Sequence, residues 1–336
     1  MSSTLSVVEI KRNKSIDLIK VIAMMMVMAL HTCLGRLDNP VAFVLSRTSG
    51  IAIPLFFMVS GFLLWGKTTN YGYSIHKIGK IIRFVFLFSL IYYLGVILYK
   101  GYHWEDFPRL FLGSFLQKGD LGIFWYFGAM IFLYGLLPII NKLDIKLEYF
   151  HISLVILLLC IVFIFHQLNI TEKWEKIHVL QTFRLWNWLF YFSLGGMLRK
   201  IYKENFQYME INLSKILLPL IFCIWLLFIL YVFLMKKQVG GIEYFFGSPL
   251  CWCYAVLIFI YCLHLKVDNN KFLEGMSSLF LPVYALHMPI VRMTSGKIDS
   301  LGIIAPVVDY IIVVFLTVLF SYFIMKQSYL SKIFQL

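Results

Sequence analysis

Charged residues are scarce in this chain of 336 residues. Asp, Glu, Lys and Arg make up 14% of the sequence, whereas 61% of it is hydrophobic. Soluble domains are about one quarter charged and about half apolar. This balance argues against a soluble globular domain. The net charge of +13 does not indicate nucleic-acid binding, because the basic residues lie in short segments between apolar runs.

The sequence also lacks the patterns of metal sites and of common nucleophilic enzymes. Its eight His residues are scattered, and none of its six Cys residues forms a CxxC pair. No HExxH motif, Gly-rich phosphate loop or GxSxG motif appears. We therefore expect no metal site and no serine-hydrolase chemistry.

Long apolar runs are what the sequence has instead. Runs of about eighteen or more apolar residues predict membrane-spanning helices. Ten are predicted, at about 15–36, 41–66, 78–99, 122–141, 148–168, 184–199, 214–235, 248–265, 276–292 and 303–325. Pro282 and Pro289 interrupt the ninth of them. The predicted fold is all-α, a polytopic transmembrane bundle of about ten helices in a single domain over residues 1–336.

Basic residues ahead of the first run set the predicted orientation. Lys11, Arg12 and Lys14 precede it, and the run has no small-residue cleavage site, so we expect a retained first helix with a cytoplasmic start. Ten spans then place both termini in the cytoplasm, in agreement with a modest excess of Lys and Arg in the inner segments. The predicted location is the inner or plasma membrane of the cell, with membrane lipid as a partner. The oligomeric state is open, a homo-oligomer included.

Asp17, Lys20 and His31 lie within the first helix, where ionisable residues are costly and are therefore candidates for function. Asp17 and Lys20 are one turn apart, and about three turns separate Lys20 from His31, so the three share a face. The rise from Lys20 to His31 is roughly 16 Å. Two other interpretations are open. Asp17 and Lys20 can be an interfacial ion pair, and His31 can be a structural histidine.

Further candidates follow in the next two helices. Gly61 permits the close approach of a neighbouring helix, and Ser60 beside it is polar. Arg47, near the outer end of the second helix, is suited to an acidic glycan or a diphosphate, or to the interface. Lys80 and Arg83 lie one turn apart in a basic inner stretch that suits a phosphate group or an anionic lipid.

Four predicted helices carry distinctive patterns. Arg12 to His31 has the sequence R-x-x-x-I-D-x-x-K-x-x-A-x(7)-H, and Pro54 to Leu64 has P-x-F-F-x-x-S-G-F-L-L. The fourth helix has Phe124-Trp125-Tyr126-Phe127 with Tyr134 and Pro138, and the ninth has Val283-Tyr284-Ala285-Leu286-His287-Met288-Pro289. Together, and in this order, these patterns resemble the acyltransferase 3 family of membrane acyltransferases.

This resemblance implies the transfer of an acyl group, usually acetyl, from cytoplasmic acyl-CoA to a hydroxyl of a carbohydrate or lipid-linked glycan. The family's functional pattern is an Arg and a His separated by ten residues in the first helix. Lys20 and His31 meet that spacing, with Lys in place of Arg. Lys keeps the charge but lacks the planar fork of the guanidinium. The family's basic pair beyond the second helix falls on Lys80 and Arg83.

The predicted mechanism uses His31 as the general base that accepts the proton of the acceptor hydroxyl, because neutral imidazole suits this role near neutral pH. Acyl-CoA, most simply acetyl-CoA, is the expected co-substrate. The candidate residues, by role, are His31 and Asp17 in catalysis, Lys20, Lys80 and Arg83 at the CoA phosphates, and Arg47, Ser60, Trp125, Tyr126 and His287 around the substrates. Asp17 is expected to hold Lys20.

Two other functions are compatible with the sequence. A proton-coupled transporter or flippase of a glycolipid or polyol would use the buried ionisable residues as a proton relay. A non-catalytic membrane domain is the second alternative, which Lys20 in place of Arg keeps open. The glycan acceptor, the choice between acetyl and succinyl, and the choice between direct transfer and a covalent acyl-His31 relay are also open.

Overall fold

The computed structural model describes residues 13–101, 103–205, 213–239, 241–265, 267 and 270–334, which are mostly helical and contain no strand. The helices are α1 (Lys14–Cys33), α2 (Pro40–Thr48), α3 (Ala52–Leu64), α4 (Tyr71–Lys100), α5 (Asp106–Phe115), α6 (Trp125–Lys146), α7 (Phe150–Glu172), α8 (Trp174–His178), α9 (Leu185–Asn205), α10 (Leu213–Val239), α11 (Pro249–His264), α12 (Lys271–Ser278), α13 (Phe280–Thr294), α14 (Ala305–Lys326) and α15 (Ser328–Ser331). The predicted all-α class is confirmed. Lys11 and Arg12 lie outside the described residues.

Seven segments of the described chain are long and apolar enough to cross a membrane. They are Lys14–Arg36, Pro40–Leu64, Tyr71–Ile97, Gly122–Lys146, Phe150–Glu172, Lys215–Met235 and Asp299–Lys326. Each coincides with one of the ten predicted spans. The other three predictions fall on α9, on α11, and on α12 with α13.

Contacts at the two ends of α9 show that it also runs the length of the bundle. At its beginning, Arg184 lies 3.7 Å from Glu175, just beyond the end of α7. Near its end, the Arg199 guanidinium donates to the backbone carbonyl of Trp65, just beyond the end of α3, at 2.7 Å. Helix α9 therefore returns from the far end of α7 to the end of the bundle where α3 stops.

Helices α12 and α13 run parallel to α1. Ser277 at the end of α12 donates to Asp17 near the beginning of α1, at 2.7 Å. Further along, the ring of His287 on α13 contacts the ring of His31. Together α12 and α13 thus cross the bundle in the direction of α1.

Two of the predicted spans are broken into shorter helices. The second consists of α2, a 3-10 turn at Ser49–Ile51, and α3, and the ninth divides at Leu279 into α12 and α13. Pro54 and Pro282 are each the third residue of the helix that follows the break. A proline is tolerated there because the first-turn N–H groups of a helix have no intrahelical partner.

Two glycines allow α3 and α9 to pack backbone to backbone. A Cβ atom placed on Gly61 would overlap the carbonyl group of Phe192, and one placed on Gly195 would overlap the carbonyl group of Met58. The predicted close approach at Gly61 is therefore confirmed. The contact fixes α3, and with it Ser60, against the rest of the bundle.

The connection between α7 and α9 is organised around a buried carboxylate. Three side chains donate hydrogen bonds to Glu175: Asn169, Trp186 and Asn187. Burial raises the pKa of Glu175, and the neighbouring Arg184 cation opposes that rise. This network closes one end of the bundle with a fixed loop.

Candidate functional site

His31 stands at a narrow cleft between α1, α3, α6 and α13. The cleft is lined by Val27, His31, Ile53, Phe56, Ile123, Trp125, Tyr126 and Tyr284. Its accessible space is about 10 Å³, which is close to the minimum that holds one water molecule. A substrate that reaches His31 must therefore displace the aromatic side chains of the cleft.

A second histidine lies against the first. The ring centroids of His31 and His287 are 5.1 Å apart, with the ring planes tilted by 43°. His287 is fully buried, and its Nδ1 atom lies 2.7 Å from the backbone carbonyl oxygen of Tyr284. The other ring nitrogen, Nε2, has no hydrogen-bond partner among the described residues.

Two tyrosines, Tyr126 and Tyr284, also line the cleft. The Tyr126 hydroxyl lies 3.2 Å from the Ser60 hydroxyl, which joins α6 to α3. The Tyr284 hydroxyl donates to the backbone carbonyl of Ile123, just before α6. Of the predicted site residues, His31, Trp125 and Tyr126 line this cleft. Ser60 is linked to it through Tyr126, and His287 lies against His31 beside a neighbouring cavity.

Asp17 lies far from this cleft. Along α1 it is fourteen residues from His31, a rise of about 21 Å. Its carboxylate accepts a hydrogen bond from Ser277 and lies 3.9 Å from the Lys20 ammonium group. Asp17 therefore acts on Lys20 and on the contact of α1 with α12, and any effect on His31 is indirect.

The predicted phosphate-binding residues Lys80 and Arg83 lie within α4, which begins at Tyr71, earlier than the predicted start at about 78. Because α4 follows the end of α3, both residues lie in the half of α4 nearer to the end of the bundle where α1 begins. Lys80 is half-buried and Arg83 is exposed. Their use for CoA phosphates stays a prediction.

Arg47 is buried and does not line the His31 cleft. Its guanidinium lies 5.2 Å from the centre of the Phe43 ring, and its Nε and Nη1 atoms have no hydrogen-bond partner among the described residues. The structure thus separates Arg47 from the histidine pair.

Two residues of this region were absent from the sequence-based candidates. Tyr284 lies one turn before His287 on α13, and its backbone carbonyl holds His287. Arg292 donates to the backbone carbonyl of Asp120 at 2.8 Å and ties α13 to the loop before α6. For Tyr284 the available signal was its spacing of three residues from His287 on one helix. Arg292 is five residues from His287, and helical spacing gave no signal for it.

A much larger cavity lies elsewhere. It has a volume of about 830 Å³ and runs along α14 beside α12, from Tyr310 to Lys326. Its lining is almost entirely apolar and includes no histidine, so it offers no base for acyl transfer. In the described part of the chain, no three His, Cys, Asp or Glu side chains are placed to hold a metal ion.

A helical bundle with seven apolar segments of membrane-crossing length among its described residues is typical of a polytopic membrane protein. The chain belongs to the acyltransferase 3 family, whose acyltransferase domain matches residues 13–326. This match confirms the resemblance found in the sequence. The protein is therefore a multi-pass membrane protein of an acyltransferase family.

A second similarity covers a smaller part of the chain. Over 135 residues it is 30% identical to an amino-acid racemase of Enterococcus faecalis, an alignment that covers 36% of this chain and 18% of the racemase. The chain thus matches less than a fifth of the length of that curated relative. No solved structure matches the chain.

Proposed function

We propose that the protein transfers an acyl group, acetyl in the simplest case, from cytoplasmic acyl-CoA to a hydroxyl of an extracytoplasmic or lipid-linked glycan. The membrane is the inner or plasma membrane of the cell. The family match supports acyl transfer. The observation that carries the proposal for this site is the position of His31, which lines a cleft with Trp125 and Tyr126 in the interior of the bundle.

In the proposed reaction, His31 acts as the general base. One ring nitrogen takes the proton of the acceptor hydroxyl while the hydroxyl oxygen bonds to the thioester carbonyl carbon. The carbon–sulfur bond breaks, and the proton passes from His31 to the CoA thiolate. Neutral imidazole suits this exchange near neutral pH.

The charges at the other end of α1 support the same arrangement. In the proposal Lys20, Lys80 and Arg83 bind the CoA phosphates, and Lys20, which Asp17 holds, acts there as a point charge rather than as a bidentate donor. The rise of roughly 16 Å from Lys20 to His31 leaves room for an extended pantetheine arm between phosphate and thioester. Ser60, Tyr126 and Trp125 then face the reacting carbonyl, and His287 lies beside it.

The test is transfer of label from radiolabelled acetyl-CoA to cell-envelope glycans by the purified protein in membranes. We expect the wild-type protein to transfer label and His31→Ala to lose at least about 10²-fold in rate, the usual contribution of general base catalysis. Equal expression and thermal stability of the two proteins serve as the control. Undiminished transfer by His31→Ala would contradict the role of His31. Absence of transfer by wild type, together with proton-coupled uptake of a glycolipid, would favour a transporter.

A further inference from the structure

We propose that His287 positions His31 for catalysis by accepting the N–H of its ring. This inference rests on the proposed function and adds a residue from a distant part of the chain to the reaction site. In this role His287 binds the imidazole of His31 rather than the acceptor glycan. The structural basis is the contact of two histidines on α1 and α13.

The hydrogen bonds of His287 fix which of its nitrogens carries the proton. Its Nδ1 atom lies 2.7 Å from the carbonyl oxygen of Tyr284, and a carbonyl oxygen can only accept. Nδ1 therefore carries the hydrogen. In a neutral imidazole the other nitrogen, Nε2, is then a lone-pair acceptor.

The surroundings of His287 favour that neutral form. The ring is buried among apolar side chains, including Met24, Met28, Phe280 and Val283. An imidazolium there would be an unpaired buried charge. The result is an acceptor, Nε2, that is buried and has no partner among the described residues.

His31 is an imidazole ring that lies against the ring of His287. Its centroid is 5.1 Å from that of His287, and neither of its nitrogens has a hydrogen-bond partner among the described residues. The outer torsion of a histidine is broad, so the His31 ring is able to turn one nitrogen toward His287. Catalytic hydrogen bonds often tighten in this way when substrate binds.

A hydrogen bond from His31 to His287 would determine which nitrogen of His31 acts as the base. When one nitrogen of His31 donates to His287, the opposite nitrogen carries the lone pair and faces the cleft of Trp125 and Tyr126. During transfer that nitrogen takes the acceptor proton, and the charge on the His31 ring is stabilised by the bond to His287. The proton that His31 shares with His287 stays in place, and the acceptor proton ends on the CoA thiol.

Two polar variants of His287 separate this role from a structural one. The amide oxygen of Gln reaches the position of Nε2, whereas the shorter Asn side chain does not. We expect His287→Gln to keep kcat within about 10-fold of wild type. We expect His287→Asn and His287→Leu to lose at least about 10²-fold in kcat, the scale of general base catalysis. KM for acetyl-CoA should change little in all three.

The measurement is steady-state acetyl transfer, normalised to folded protein by size-exclusion chromatography in detergent, with His31→Ala as the inactive reference. Equal losses of kcat in His287→Gln and His287→Asn would overturn the inference. So would a wild-type kcat in His287→Leu, or variants that raise only the KM for the acceptor. If His287→Leu does not fold, the difference in kcat between His287→Gln and His287→Asn still tests the inference. Failure of wild type to transfer acetyl would instead overturn the proposed function, so the two failures are distinguishable.

Discussion

At the scale of the residue, the Tyr126 hydroxyl is the polar group of the His31 cleft that can be removed without changing the shape of the wall. If it donates to the oxygen that becomes negative during transfer, Tyr126→Phe should lower kcat by about 10²-fold, as the loss of one such donor does in other acyl transfers. KM for acetyl-CoA should be nearly unchanged. Initial rates at saturating donor and acceptor would measure the effect.

The matched control is Tyr231 on α10. Its hydroxyl also bonds one side chain, Nε2 of His166, at 2.8 Å, but it does not line the cleft. Each Tyr→Phe change thus removes one internal hydrogen bond, at a cost of about 1 kcal/mol in stability. A Tyr126→Phe protein as active as Tyr231→Phe would exclude the hydroxyl from the reaction.

At the scale of the element, the packing of α3 on α9 depends on the absence of a side chain at Gly61. A Cβ atom there would overlap the carbonyl of Phe192, so Gly61→Ala must push the two helices apart. We expect a loss of about 1–3 kcal/mol in the free energy of unfolding, the usual range for overpacking. Thermal unfolding of the protein in detergent would show it as a lower Tm.

Gly135 provides the comparison for this prediction. It lies inside α6 with nothing near the position of a Cβ atom. Because alanine favours the helix over glycine by about 1 kcal/mol, Gly135→Ala should leave Tm unchanged or raise it. Equal Tm values for the Gly61→Ala and Gly135→Ala proteins would show that α3 and α9 do not pack this closely.

The same elements show what the sequence could predict. The apolar runs located the helices, and the shared face of Asp17, Lys20 and His31 followed from helical periodicity. The Asp17–Lys20 contact was correctly expected. The pairing of His31 with His287 was not predicted, because apolar helix faces are alike and hydropathy does not state which helices become neighbours.

The hydropathy pattern also did not predict that the second and ninth spans are each divided into two helices. A window of apolar residues continues across Ser49–Ile51 and across Leu279, and burial of both connections inside the bundle removes the polar signal of a loop. Pro54 and Pro282 were the local signs of a new helix beginning. Their position in the first turn, rather than in a helix interior, became clear from the coordinates alone.

At the scale of the whole molecule, ion pairs join segments that must share an end of the bundle. Lys14 at the beginning of α1 pairs with Glu274 of α12. At the other end, Arg36 follows α1 and lies 2.6 Å from Asp309, near the beginning of α14. The chain therefore crosses the bundle between Glu274 and Asp309, although neither α12 nor α13 is among the seven segments that are long and apolar enough to cross a membrane.

This crossing makes the membrane topology testable at Ser300, an exposed residue between α13 and α14. If all ten predicted spans cross, Ser300 is outside and Thr69, an exposed residue between α3 and α4, is inside. A membrane-impermeant maleimide should then label Ser300→Cys in intact cells or spheroplasts, and Thr69→Cys after the membrane is opened. The wild-type protein serves as the control for labelling of the native cysteines.

If the seven apolar segments alone crossed, Ser300 would share the inner side with Thr69, and both variants would be labelled only after the membrane is opened. That outcome would place the two ends of α13 on one side of the membrane and refute the parallel arrangement of α1 and α13 on which the histidine pair depends.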